Sequence, residues 1–351
     1  MNINYSHRIL ITSAGGFLGL QNIEYFRKTF KHKIWILSAD SRKLYNENTA
    51  ADLCIQLPKG NNENYILQVI KYVKKYKINF ILPCSDEEAI KLSYNLNRFE
   101  KLNVSIACQL PEINKIISNK IKTYEFLKKN NISTPDFRVV RSKSELLKFV
   151  NYFYNTYSGV VIKDPIARGN RGTIVIAKKI IGFKVYNESR ELHMSLSYFK
   201  KNIKRIIKFN FPKILSERLF SPCYDLDVLA YQGKYLYSVV RERINPAGVP
   251  FKGNIIRKNK QLEELSKKIV ALLSLSWLVD IDVMTKSNGE PTVIEINPRI
   301  SGSAVISVIA GVPLYKNLLK LNINKKIGAI KYPKDGLKIV PKVVCEAIKT
   351  K

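Results

Sequence analysis

Short apolar runs alternate with stretches of helical spacing over the first hundred or so residues. Arg8–Ser13 reads as a strand. Ala14-Gly15-Gly16-Phe17-Leu18-Gly19 reads as a turn, and Leu20, Ile23 and Phe26 open a helix. Lys33–Ser38 is a second strand, ending at Asp40. Ile66–Tyr76 has helical spacing and Phe80–Pro83 is a buried strand. Cys84-Ser85-Asp86-Glu87-Glu88 caps a helix running to about Asn95, and Val104–Cys108 is one more short strand. Strands alternating with helices imply a parallel α/β sheet. The pattern pauses near Pro111.

A different order follows. Ser118-Asn119 looks like a helix cap before Lys120, Ile121, Tyr124 and Leu127. Ser142–Phe153 is helical, Ser158–Lys163 a strand, Asp164–Gly172 a loop and Thr173–Ala177 a returning strand. Residues 188–208 read as helix. Ile214–Leu219, Leu226–Tyr231 and Tyr235–Arg241 read as strands of an antiparallel sheet, and Leu262–Leu275 as a helix. Ile281-Asp282-Val283 and Val293–Asn297 then flank Ser287-Asn288-Gly289-Glu290-Pro291, a hairpin turn composition. A helix over Ala304–Ile309 and a basic tail from Asn322 close the chain.

The hairpin carries the sharpest chemistry. Residues i and i+2 of a strand share a face, so Glu295 and Asn297 point together and Asp282 can face them from the partner strand. Two carboxylates and an amide oxygen on one face form a hard-oxygen site suited to Mg²⁺ shared with phosphates. The plainer alternative is an amphipathic hairpin with its polar side in solvent. Arg299 adds a cation beside the site, and Ser301-Gly302-Ser303 follows.

Composition narrows the classes. The 351 residues suffice for two or three domains, and 46% hydrophobic content suits a substantial core. No apolar run is long enough to span a bilayer. The Ile9–Leu20 stretch lacks the basic start and cleavage site of a secretion signal. Five cysteines without paired spacing and three scattered histidines argue against a disulfide framework or a zinc site. A cytoplasmic protein is expected. The net charge of +31 admits a solvated basic surface or an anionic partner. The densest basic cluster is Lys200, Lys201, Lys204, Arg205 and Lys208, and no RNA-binding motif accompanies it, which argues against nucleic acid.

Two readings compete. The glycine turn with Asp40 downstream looks like the start of a dinucleotide-binding unit, although Ala14 stands where its first glycine belongs. Tyr124 and Lys128 match the Tyr-x-x-x-Lys of NAD(P)-dependent sugar-modifying oxidoreductases, a match expected by chance among 19 tyrosines. That reading leaves the 281–299 hairpin unexplained.

The other reading rests on order and spacing. Lys120, Lys163, the Arg168-Gly169-Asn170-Arg171-Gly172 loop, Glu217, Asp282, Glu295 and Asn297 follow one another as in a known family. The chain resembles the ATP-grasp superfamily, most of all stand-alone proteins similar to one half of the carbamoyl-phosphate synthase large subunit. Glu295-Ile296-Asn297-Pro298-Arg299 carries most of the resemblance, which reaches from the N-terminus to about Leu321. It implies an α/β (α+β) fold in which a Rossmann-like preATP-grasp domain over 1–112 precedes a two-lobed ATP-grasp domain with antiparallel sheets. The small lobe is expected over 113–186 and the C-terminal lobe over 187–351.

The resemblance also implies roles. Lys120 and Lys163 bind nucleotide phosphates, and Arg168, Gly169, Asn170, Arg171 and Gly172 close over them. Ser216–Leu219, with Glu217 and Leu219, reads adenine, partly through backbone groups. Asp282, Glu295 and Asn297 hold Mg²⁺, with Mn²⁺ as an alternative. Arg299 stands beside the acyl phosphate, and Arg241 and Arg243 contact the γ-phosphate or an acidic substrate. Cys223 falls where the ribose-binding Glu is usual, so Asp225 is the replacement expected for it. The implied activity is an ATP-dependent carboxylate–amine ligase acting on small molecules and releasing ADP and phosphate. A homodimer is compatible with it.

Overall fold

The computed structural model describes residues 5–16, 18–44, 49–166, 172–185, 191–245, 252–323, 325–328 and 330–342. Among them the strands form three sheets.

The first sheet contains β1 (His7–Ile11), β2 (Ile34–Asp40), β3 (Leu53–Gln56), β4 (Phe80–Leu82) and β5 (Ser105–Ile106), in the order β3-β2-β1-β4-β5. Every pairing is parallel. Its central strands β1, β2 and β4 are buried on both faces, which is why they read as continuous apolar runs. Ile9, Ile11 and Phe80 pack on one side with Phe26, while Leu10, Leu37 and Ile81 pack on the other with Val69 and Leu92. The helix Asp86–Ser93 starts where expected, because the Ser85 side chain accepts the Glu88 amide.

The second sheet contains β6 (Phe137–Val140), β7 (Gly159–Lys163), β8 (Ile174–Ala177), β9 (Phe183–Val185), β10 (Leu192–Met194) and β11 (Lys213–Glu217), in the order β6-β11-β7-β8-β10-β9. The helix expected over 188–208 occupies only Leu196–Ile206. Leu192–Met194 pairs with Ile174–Ile176 instead, and Ser195 caps the helix by accepting the Tyr198 amide. Since β10 and β11 belong to this sheet, a lobe boundary at 186/187 would cut through it. We place that boundary between Glu217 and Phe220.

The third sheet contains β12 (Phe220–Tyr231), β13 (Lys234–Arg243), β14 (Asn254–Arg257), β15 (Trp277–Thr285), β16 (Pro291–Asn297) and β17 (Lys338–Ile339), in the order β16-β15-β12-β13-β14-β17. Its pairings are antiparallel. One face, with Leu226, Val228, Val240 and Ile281, packs on the helix Lys260–Leu273. The other, with Leu229, Val239 and Leu278, joins Ile9, Phe26 and Phe80 of the first sheet in a single core. This shared core fixes the N-terminal sheet over the polar end of that face.

Candidate active site

The hairpin forms as the sequence predicts, with Gly289 in the left-handed region (φ 83°) at its turn. Asp282 lies directly across from Glu295, and Asp280 from Asn297. On the other edge of β15, Asp225 faces Asp282 and Asp227 faces Asp280. Directly opposed residues of an antiparallel pair share a face. Asp225, Asp227, Asp280, Asp282, Glu295 and Asn297 therefore converge on one side of the sheet.

Cations answer this acidity. Lys120, at the start of the helix Lys120–Lys129, places Nζ 2.8 Å from Glu295 Oε1. The Asn119 side chain accepts the Ile121 and Lys122 amides and so fixes where that helix begins. Arg243 donates from Nε to Asp225 Oδ1 at 2.7 Å, and its Nη2 lies 3.0 Å from Asp282 Oδ1. Arg299 Nε stands 2.9 Å from Asp86 Oδ1 on the N-terminal sheet's side. Lys163 ends β7 and is half-buried.

These environments shift the titrating groups. Burial pushes the Asp282 carboxyl up to about 6, against the pull of Arg243. Burial raises Asp280 well above its ordinary value, reinforced by Asp282 and Asp225. Burial would also raise Glu295, but Lys120 outweighs it and holds this carboxyl low. Burial, and then the neighbouring Lys120 charge, lowers Lys163.

Several expectations need correction. Arg241, expected at a phosphate or substrate, is fully buried. It grips both oxygens of Asp227 at 2.8 and 2.9 Å and donates to Ser303 Oγ at 2.8 Å, so its role is to hold the sheet's centre. Asp225, expected at the ribose, is buried opposite Asp282 and engaged by Arg241 and Arg243. Arg243 and then Arg241 overcome its burial and hold its carboxyl at about 2. The adenine segment needs no such correction: the Glu217 carboxylate accepts the Asp136 amide at 3.0 Å and braces the segment, Leu219 is buried beyond it, and neither contradicts a role exercised through the segment's backbone groups. Arg168, Gly169, Asn170 and Arg171 lie outside the described residues. Gly172 is described and holds φ 74°.

Asp280, Asp227 and Asp86 escaped the sequence reading. Asp225-Leu226-Asp227 and Asp280-Ile281-Asp282 each alternate an acid with an apolar residue, the period that puts both acids on one face. That repeat was the available signal. Asp86 reaches the site only through tertiary packing.

The N-terminal turn does not present a dinucleotide site. The Gly15 amide donates to Asp40 Oδ2 at 2.9 Å, the Arg42 amide donates to Asp40 Oδ1 at 2.9 Å, and Arg42 also bonds the Gly15 carbonyl. Asp40 is thus occupied in bracing its own turn. At Gly19 a Cβ would stand 2.1 Å from the Ala14 carbonyl oxygen, so this glycine serves close packing. Tyr124 is buried with its hydroxyl donating to the Ile294 carbonyl at 3.0 Å, which makes it a packing residue rather than half of a catalytic Tyr–Lys pair.

A cavity of about 1050 Å³ lies between the two regions. The glycine turn, Asp86 and Glu87 line one side, and Asp280, Asp282, Glu295, Asn297 and Arg299 the other. It can admit a small molecule beside the carboxylates and Arg299.

Residues 210–343 match the family described as ATP-grasp in the biosynthetic pathway with Ter operon, and residues 9–107 match the PylC-like N-terminal domain. Coenzyme gamma-F420-2:alpha-L-glutamate ligase of Methanocaldococcus jannaschii is 24% identical over 209 residues, 58% of this chain and 67% of that protein. An uncharacterised protein of the same organism is 27% identical over 190 residues, 53% of this chain but only 42% of its own length. Among solved structures, Staphylococcus aureus N5-carboxyaminoimidazole synthetase complexed with ADP superposes with a TM-score of 0.66 at 16% identity, covering 94% of this chain and 80% of that one. None of these supports the oxidoreductase reading. The chain thus carries an ATP-grasp domain match over residues 210–343 behind a PylC-like N-terminal domain match, and the grouped acids of the hairpin, inside the ATP-grasp match, face Lys120.

Proposed function

We propose that the protein is an ATP-dependent carboxylate–amine ligase that works through an acyl phosphate. The observation that carries this reading is the convergence of Asp282, Glu295 and Asn297 on one sheet face, with Lys120 reaching across to Glu295 and the group opening into a cavity beside Arg299. The relative whose name denotes a glutamate ligase supports the same chemistry.

The donor set fits a hard divalent cation. Asp282 and Glu295 offer carboxylate oxygens and Asn297 an amide oxygen, the ligands Mg²⁺ and Mn²⁺ prefer. Bound there, the ion would neutralise charge on the phosphates of ATP during transfer. The rest falls to the chain itself. Lys120 and Lys163 bind the phosphates, and Lys120 leaves Glu295 as it turns toward them. A substrate carboxylate oxygen attacks the γ-phosphorus, and ADP departs. An amine nitrogen then attacks the acyl carbon, the phosphate leaves with the bridging oxygen, and the nitrogen loses a proton. Arg299 is held by Asp86 on the N-terminal side, where it can stabilise the acyl phosphate and the tetrahedral oxyanion. No activated Ser, Cys or His is needed, because positioning and electrostatics lower the barrier.

The test is isotopic. With a screened carboxylate labelled with ¹⁸O in its carboxyl group, label should appear in the released phosphate alongside ADP, and hydroxylamine should trap a hydroxamate. AMP release, or unlabelled phosphate during confirmed product formation, would show the mechanism to be wrong.

A further inference from the structure

Four carboxylates stand two by two on neighbouring strands: Asp225 and Asp227 on β12, Asp282 and Asp280 opposite them on β15. Two arginines answer them from β13. Arg241 takes Asp227 in a two-pronged grip, and Arg243 bridges Asp225 and Asp282. The surrounding acids are already matched, Glu295 by Lys120 and Asp86 by Arg299. Four acids against two arginines leave the square short of cationic partners.

The shortfall is located at Asp280. This side chain is 5% exposed, yet its Oδ1 has no hydrogen-bond partner among the described residues. Its Oδ2 accepts the Asn297 amide at 3.2 Å and lies 3.6 Å from Arg299 Nη1, a cation already committed to Asp86. A buried carboxylate oxygen left without a donor is costly unless a cation completes it. Carboxylate oxygens of Asp225, Asp280 and Asp282 lie within 4.8 Å of one another, and all three residues line the cavity. The group thus combines three hard-oxygen residues, one of them carrying an orphaned buried oxygen, with more carboxylates than the arginines of β13 can match.

We propose that Asp225, Asp280 and Asp282 form a divalent-cation position that fills without nucleotide. It differs from the phosphate-side set of Asp282, Glu295 and Asn297 in two of its three ligands. Its charge balance involves no phosphate, whereas Glu295 is already neutralised by Lys120 in the nucleotide-free protein. Mg²⁺ and Mn²⁺ match the ligands. An ion there would face the cavity beside Arg299, where the anionic end of a substrate would meet it.

The probe is Mn²⁺ alone, titrated into the full chain without nucleotide and followed by electron paramagnetic resonance and calorimetry. About one saturable ion per chain is expected, displaced by Mg²⁺. Asp280→Asn, which keeps the shape but removes the charge, should weaken Mn²⁺ binding by at least about tenfold, because affinity at oxygen sites follows the ligand charge. Asp282→Asn should act likewise and serves as the second variant where the first fails to fold. Absence of saturable Mn²⁺ binding to the wild-type protein, binding only when an ATP analogue is added, or undiminished binding in a folded Asp280→Asn protein would each overturn the proposal. No nucleotide is present, so failure here leaves the ligase reading standing, and failure of the isotope experiment leaves the ion standing.

Discussion

Lys163 offers the cleanest separation of function from stability. It ends β7 half-buried, with the charge of Lys120 nearby and the field of Glu295 and Asp282 only partly offsetting it. Burial and Lys120 lower its pKa, so the folded state disfavours its charged form. The sign follows. Below the lowered folded value the lysine is charged in both folded and unfolded chains, and the folded one bears the penalty. That penalty fades only as pH rises through the lowered folded value toward the unfolded 10.5. Lys163→Met keeps the apolar stem and removes the charge. It should raise the thermal midpoint of the nucleotide-free protein at pH 7, with the gain vanishing at high pH.

Nucleotide binding should move the opposite way. A charge-assisted contact to phosphate is worth about 1.5–3 kcal/mol, so its loss should raise the dissociation constant for Mg²⁺ with a non-hydrolysable ATP analogue roughly ten- to 150-fold. At saturating analogue the ligand-induced stabilisation should shrink by a similar free energy. Calorimetry reads the affinity and scanning fluorimetry the midpoints. An unchanged affinity with an intact fold would refute the placement of Lys163 at the phosphates. A lowered nucleotide-free midpoint would refute the account of its burial.

Two further substitutions probe the sheet face. Glu295→Gln and Asn297→Asp change the charge of the proposed Mg²⁺ site while keeping its volume, so activity as a function of Mg²⁺ should shift more than the melting midpoint; wild-type activity and metal requirement in both variants would remove the hairpin from the metal site. Arg241→Met leaves the buried Asp227 carboxylate without its guanidinium partner, and breaking such a pairing costs about 3–5 kcal/mol. A fall of several degrees in melting temperature is expected, and an unchanged midpoint with lost turnover would instead place Arg241 at the substrate.

The sequence made local structure and local chemistry legible where both lay in one element. The hairpin, its turn and the shared face of Glu295 and Asn297 follow from strand period and turn composition alone. The Asn119 and Ser85 caps follow from side chains that compete well for orphan amides. Residues 192–194 were misread as the start of a helix. Three residues hold too little periodic signal, and only pairing with β8 makes them a strand.

What failed was what depends on adjacency between strands outside the hairpin. Asp225 was assigned by its distance along the chain from Glu217, but its environment is decided across the sheet, where β12 lies between β13 and β15 and brings it against Arg241 and Asp282. Arg241 and Arg243 look equivalent in sequence. In the fold one is sealed beneath Asp227, Ser301 and Ser303, and the other lies at the cavity wall. Net charge was no guide either. The helix bearing Lys200, Lys201, Lys204 and Arg205 keeps all four side chains exposed, so the basic excess there is solvated. The site at the centre of the third sheet has the opposite sign. A carboxylate there is stabilised only by the partner that sheet order delivers, and Asp280 is the residue for which the order delivers too few.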